Sequence, residues 1–271
     1  LAGQAYDSTI IRANASGNVN GTDNTGGLVG NANDGTLIEN SSATGAVDGS
    51  NDVGGLVGVV GNTELTRSYA TGHVEGADYV GGLVGEMYGS GTEMTESYAT
   101  GTVEGEDGVG GLVGWNRPFT KHIHTSHASG TVTATSGTAG GLVGVNDGAV
   151  ANTSATAAVS GDTAGGLVGF NDGTVSISIA TGTVDDTATR TGGLVADDNS
   201  GSGTTVDAYW DVDTTNQSTS EGGTGLTTPN MTGQNATETM DGFVFTDTWH
   251  ATEEYPVLAW RNTDPFYAVS I

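Results

Sequence analysis

Apolar residues recur along this chain on one long period and one short one. The long period is carried by Gly26-Gly27-Leu28-Val29-Gly30, which returns from Gly54, Gly81, Gly110, Gly140, Gly165 and Gly192, the last copy ending in Ala196. From leucine to leucine (Leu28, Leu56, Leu83, Leu112, Leu142, Leu167, Leu194) the steps are 28, 27, 29, 30, 25 and 27 residues. A repeat in that range signals a solenoid or array, in which each unit buries its apolar face against its neighbours only. The short period alternates residue by residue. Across Ser68 to Glu75, Ser68, Ala70, Gly72 and Val74 fall on one face and Tyr69, Thr71, His73 and Glu75 on the other. That is a strand with one buried face.

A second apolar anchor precedes each strand valine by nine residues: Ile10 and Val19, Ile38 and Val47, Leu65 and Val74, Met94 and Val103, Ile123 and Val132, Val150 and Val159, Val175 and Val184. Leucine, anchor and valine divide each unit into three, which predicts an all-β parallel β-solenoid (β-helix) of three short strands per coil and about eight coils, over residues 1–212. Stacked at ~4.8 Å per coil, the rod would be roughly 38 Å long. Glycines suit its corners, and Asn33-Asp34-Gly35, Asn146-Asp147-Gly148 and Asn171-Asp172-Gly173 have turn chemistry. Adjacent Leu28 and Val29 either both point inward around a glycine bend, the favoured reading, or leave one apolar ladder outside.

Tyr209-Trp210 falls in the register of Tyr69-Ala70, after which the pattern stops. Residues 213–271 hold three of the five phenylalanines and two of the four tryptophans, as expected of a C-terminal cap or subunit-joining region. Within it Thr228-Pro229 opens a short helix, and Phe243-Val244-Phe245, Val257 to Trp260 and Phe266 to Ile271 are strand candidates. No such cap precedes the first unit. Its front coil continues upstream, is covered by residues 1–9, or accepts a strand from another copy; in the last case Ile10, Ile11, Phe266, Tyr267, Val269 and Ile271 are the candidate subunit contacts.

Charge changes the picture more than size does. Thirty-two acidic residues against six basic ones, only one of them lysine (Lys121), give a net charge of −26. Such a skin repels nucleic acid and anionic lipid and suits concentrated salt, where repulsion is screened within a few ångströms. There is no cysteine and no apolar run long enough to span a membrane, so neither disulfides nor membrane insertion is expected of this chain. Seven N-x-Ser/Thr sequons, at Asn14, Asn20, Asn40, Asn152, Asn216, Asn230 and Asn235, are candidate glycosylation sites.

Candidate chemistry follows the repeat. Asp48, Glu75 and Glu104 occupy one outward column with Asp78 and Asp107 near it, a candidate Ca2+ site; Asp185-Asp186, Asp197-Asp198 and Asp211 with Asp213 form a second acidic group. His122 and His124 flank Ile123 beside His127, a possible zinc or copper grip, with Arg117 and Lys121 beside Glu93 and Glu96 as the plainer reading. Tyr69, Tyr98 and His127 form a column able to stack sugar rings or to tile a flat face. No carboxylate pair is set apart in one coil, and there is no nucleophile triad, His-Glu-x-x-His or phosphate loop.

Gly-Gly-Leu-Val-Gly with its upstream Ala-Thr-Gly-x-Val resembles the GLUG-motif repeat, and Tyr209-Trp210-Asp211, Ser220 to Thr228 and Tyr255 to Trp260 resemble the tail that closes such arrays. The resemblance implies a surface or adhesin-like protein without a shared active site. The expectation is a non-enzymatic extracellular, cell-surface fibre subunit or adhesin stalk. It needs no cofactor, and its partners are further copies of itself, joined head to tail, or other surface proteins and glycans. The rivals are a carbohydrate-binding module and, behind it, a polysaccharide lyase or hydrolase.

Overall fold

The computed structural model describes residues 2–185, 187–199 and 201–262, and its strands stack in parallel as a β-solenoid of eight turns. Each of the first six turns carries five short strands instead of three. In the second turn they are Val29–Asn33, Leu37–Glu39, Ser42–Ala43, Val47–Asp48 and Asn51–Gly54, which define sides one to five. The sides stack into sheets of 8, 8, 9, 6 and 7 strands.

The three anchor columns run where the spacing puts them. Ile10, Ile38, Leu65, Met94, Ile123, Val150 and Val175 lie in register on side two. Val19, Val47, Val74, Val103, Val132 and Val159 do so on side four, and a single bridge adds Val184. The leucines lie between sides five and one, where each backbone N–H from Leu28 to Leu167 donates to the next leucine's carbonyl at 2.8–2.9 Å. All seven are buried, and Leu28 (4% exposed) and Val29 (0%) share one core. The glycine bend, not an outer ladder, is therefore the outcome.

Corners explain the extra strands. The segment from Ser68 to Glu75 breaks into Tyr69–Ala70 and Val74–Glu75, because the chain bends at Gly72, where a Cβ would lie 2.0 Å from the carbonyl oxygen of Gly45. Between sides two and three, Arg12, Asn40, Arg67, Glu96, Thr125, Asn152, Ile177 and Asp207 all take φ between 48° and 55°. A β-branched residue such as Ile177 is seldom found there. The following serines supply a reason. Ser41, Ser68 and Ser97 are buried, each donating its Oγ–H to the carbonyl two residues back and accepting an N–H from the preceding turn at 3.1–3.2 Å. The hydroxyl bridges two turns where the strand ladder is interrupted.

The second motif glycine sets the thickness of the rod. A Cβ on Gly55 would stand 2.8 Å from that of Ala70, and the same opposition pairs Gly27 with Ala43, Gly82 with Ala99, Gly111 with Ala128, Gly141 with Ala155 and Gly166 with Ala180. Sides three and one approach so closely that only glycine opposite alanine fits. At the last turn the alanine column ends in Trp210, whose indole lies against Gly193 and donates to the Gln217 carbonyl at 3.0 Å. The chain then contracts: Trp210 pairs with Gly225, so this turn closes in 15 residues. On the way it bonds the last coil at Thr215–Val184, Thr219–Gly193 and Glu221–Val195.

Beyond it, helices span Thr228–Met231 and Gly233–Thr239; Thr227 is the capping position, and Thr228 and Pro229 are the first two helical residues. Phe243, Val244 and Phe245 form no strand: Phe243 and Phe245 pack into an aromatic cluster with Tyr209 and Trp249, and Val244 is exposed. Trp249–His250 pairs antiparallel with Val257–Leu258, and Ala259–Asn262 is a 3-10 turn. The candidate strand from Phe266 to Ile271 lies outside the described residues.

Candidate functional site

Chemistry-bearing residues are distributed over the outer faces of the sides, one column at a time. On side four the outward column runs Asn20, Asp48, Glu75, Glu104, Thr133 and Ser160 in register. The three carboxylates are exposed; the Asn20 amide donates to Asp48 at 3.0 Å and the His73 ring lies 3.7 Å from Glu75. Asp78 faces Asn51 and Asp107 on side five, and Asp107 accepts the Thr138 N–H at 2.7 Å. Among the described residues no three carboxylates or imidazoles converge on one point. Side by side, these groups repel one another unless screened.

Arginines and the lysine sit where that repulsion would be worst. Arg67 lies between Glu39 and Glu96 of the neighbouring turns, Lys121 is 3.7 Å from Glu93, and Arg190 meets Asp197. Arg117 makes a forked contact with buried Glu86, at 2.5 and 3.2 Å, and stacks 3.7 Å above the Trp115 ring. Beside this pair Asp52 is half-buried, and one of its oxygens has no hydrogen-bond partner among the described residues. Burial, with the Glu86 carboxylate adding to it and Arg117 opposing, pushes the Asp52 carboxyl up to about 7. Sequence spacing missed this group because its members come from three turns and different motif positions.

The histidines separate. His122 and His124 flank buried Ile123 on the outside of side two, and His124 lies 3.2 Å from Glu93. His127 belongs to side three, where it is buried, contacts Ser154 at 2.8 Å and faces Arg261 at 3.5 Å. Burial, reinforced by Arg261, pushes its imidazole well below the ordinary value.

The C-terminal segment accounts for that burial. The outward column of side three is Asn14, Ser42, Tyr69, Tyr98, His127, Ser154, Ile179 and Tyr209. Phe243 packs on Tyr209, Trp249 bonds Asn152 at 3.3 Å and Trp260 stacks on Tyr98 with centroids 6.0 Å apart. Residues 227–262 therefore lie along a flank as a strap and run back toward the front of the rod. Six of the seven sequon asparagines are exposed, and Asn152, beneath the strap, is half-buried. Of the proposed contact residues, Ile10 is half-buried and Ile11 is 48% exposed; Phe266, Tyr267, Val269 and Ile271 lie outside the described residues.

Residues 21–48 match the GLUG motif family. That stretch is one complete turn, from side five round to side four, and the register of the sheets carries its positions into the other turns. The chain thus carries a GLUG motif in its solenoid. Over 78 residues it is 47% identical to "Halomucin" of Haloquadratum walsbyi (strain DSM 16790 / HBSQ001). The match covers 28% of this chain and 1% of that protein, so the matched stretch corresponds to a small part of a far longer polypeptide. Together with the acidic skin, the likeness marks a halophilic protein. No helix among the described residues is long and apolar enough to cross a membrane.

Proposed function

We propose that this protein is a non-enzymatic structural element outside the cell, a stiff rod within a surface fibre or adhesin stalk that works in brine. The observation that carries the reading is the unbroken leucine-to-leucine backbone ladder, which makes the coil one continuous hydrogen-bonded rod. Carboxylate columns keep that rod soluble where salt screens them. Its likeness to the relative named "Halomucin" supports a place in a large secreted or surface-bound assembly.

The rod extends at its front. The strands Ala2–Tyr6, Thr9–Ile11, Asn14–Ala15, Val19–Asn20 and Thr25–Gly26 each stand at the margin of their sheet, so a further coil adds there, from the same longer chain or from a second copy. Its partners are thus more rod, or the glycans and proteins of the same surface. A sugar-stacking role for the Tyr98 and His127 column is disfavoured, because the strap lies on it.

Electron microscopy of the purified chain in molar salt tests the self-assembly: filaments whose thickness matches one rod are expected if copies join at the front. Dispersed short rods at every concentration would remove head-to-tail joining. Release of reducing sugar from polysaccharides would remove the non-enzymatic reading.

A further inference from the structure

Two of the sequons form a matched pair. Asn40 and Asn152 both follow a side-two strand, both turn the corner at φ 50° and 51°, and both have a buried serine, Ser42 or Ser154, two residues on. Their cover differs. Asn40 is exposed, and its amide nitrogen donates to the neighbouring Glu39 carboxylate at 3.1 Å. Asn152 is half-buried, and its amide oxygen accepts the indole N–H of Trp249, a residue with no exposed surface at all.

We propose that Asn40 is an N-glycosylation acceptor and that Asn152 is kept bare by the strap. The reaction joins the Asn40 amide nitrogen to the anomeric carbon of a lipid-phosphate-linked oligosaccharide. The carbon–oxygen bond to phosphate breaks, the lipid phosphate leaves with the electron pair, and the amide proton passes to the transferase's base. A glycan on Asn40 projects from the corner into solvent. The same group on Asn152 would occupy the volume of Trp249, so molecules modified there cannot close the strap. The exposed Asn14 and Asn20 lie in the turn before Asn40 and place further acceptors at the front of the rod.

This inference rests on the extracellular location proposed above. Its test is glycopeptide mass spectrometry of the full chain, exported by a halophilic host that N-glycosylates its own secreted proteins and purified as the folded monodisperse species. The Asn40 peptide is expected to carry hexose-spaced mass additions, lost in Asn40→Gln, and the Asn152 peptide none. In Trp249→Ala, occupancy at Asn152 is expected to rise from none to a measurable fraction. A bare Asn40 in exported protein, or a glycan on Asn152 of the folded species, overturns the site while leaving the location intact. Protein retained inside the cell overturns both.

Discussion

The two ends of the rod are made of the same repeat and finished in opposite ways. At the back, Trp210 replaces the alanine of the column and a contracted turn supplies partners to the last strands, whereas at the front five strand margins stand side by side. The difference is one of side-chain volume and chain direction. An indole fills the slot that glycine and alanine share elsewhere, and once it is filled a full-sized coil cannot follow. Among the described residues no side chain of comparable volume fills the front, where Ile10 is the first of its column and only half-buried.

Substitutions at the two ends should therefore differ. Trp210→Ala carries the largest expected effect, a loss of about 3–5 kcal/mol by analogy with other buried aromatic truncations; denaturant unfolding at fixed salt measures it, and a loss no greater than at Ile10 would abolish the distinction between the ends. Ile10→Ala should cost only about 1 kcal/mol, because half of the side chain is already in water. Asp52 lies one turn behind that front coil and makes the comparison pH-dependent. Its folded pKa of about 7 stands above the ordinary 3.8, so the folded chain holds a proton that the unfolded chain has lost. Stability from this group is full below pH 4 and declines as pH rises toward and through 7. Asp52→Asn, which suits φ +52° as well as aspartate does, should match the wild type near pH 4 and exceed it increasingly up to pH 8 in thermal melts. A constant gap would show that the carboxyl is not held protonated. The smallest effect is expected at Glu75→Gln, which removes the middle charge of an exposed column: a slight rise in Tm in dilute buffer that vanishes in molar salt.

Much of this could be read from residue order, and the reasons are physical. Leu28 and its copies, Ile38 and Val47 announced three interior columns, because a stacked coil repeats its burial pattern whenever its register repeats. The number of strands did not follow, since corners at Asn40 or Gly72 depend on φ and on backbone approach, which spacing alone does not encode. Alternation put Ser68 on the face of Ala70 and Val74, but only the bond that it accepts from the preceding turn reveals its role. The strap was the hardest to foresee. Its aromatic residues pointed to a cover, but the surface they choose, Tyr98, His127 and Tyr209, is selected by packing between segments far apart in the chain. Asp52, Glu86 and Arg117 escaped for the same reason.

The opposition of the second motif glycine to the alanine of side three lies within a single unit, as Gly55 and Ala70 illustrate. Unequal crossing-over between any two copies would thus delete or duplicate a whole coil while leaving every such pair intact. Length is free to drift in a lineage as cross-section stays fixed, and a gene built this way can lengthen its product by ~4.8 Å per duplicated unit without inventing a new interface.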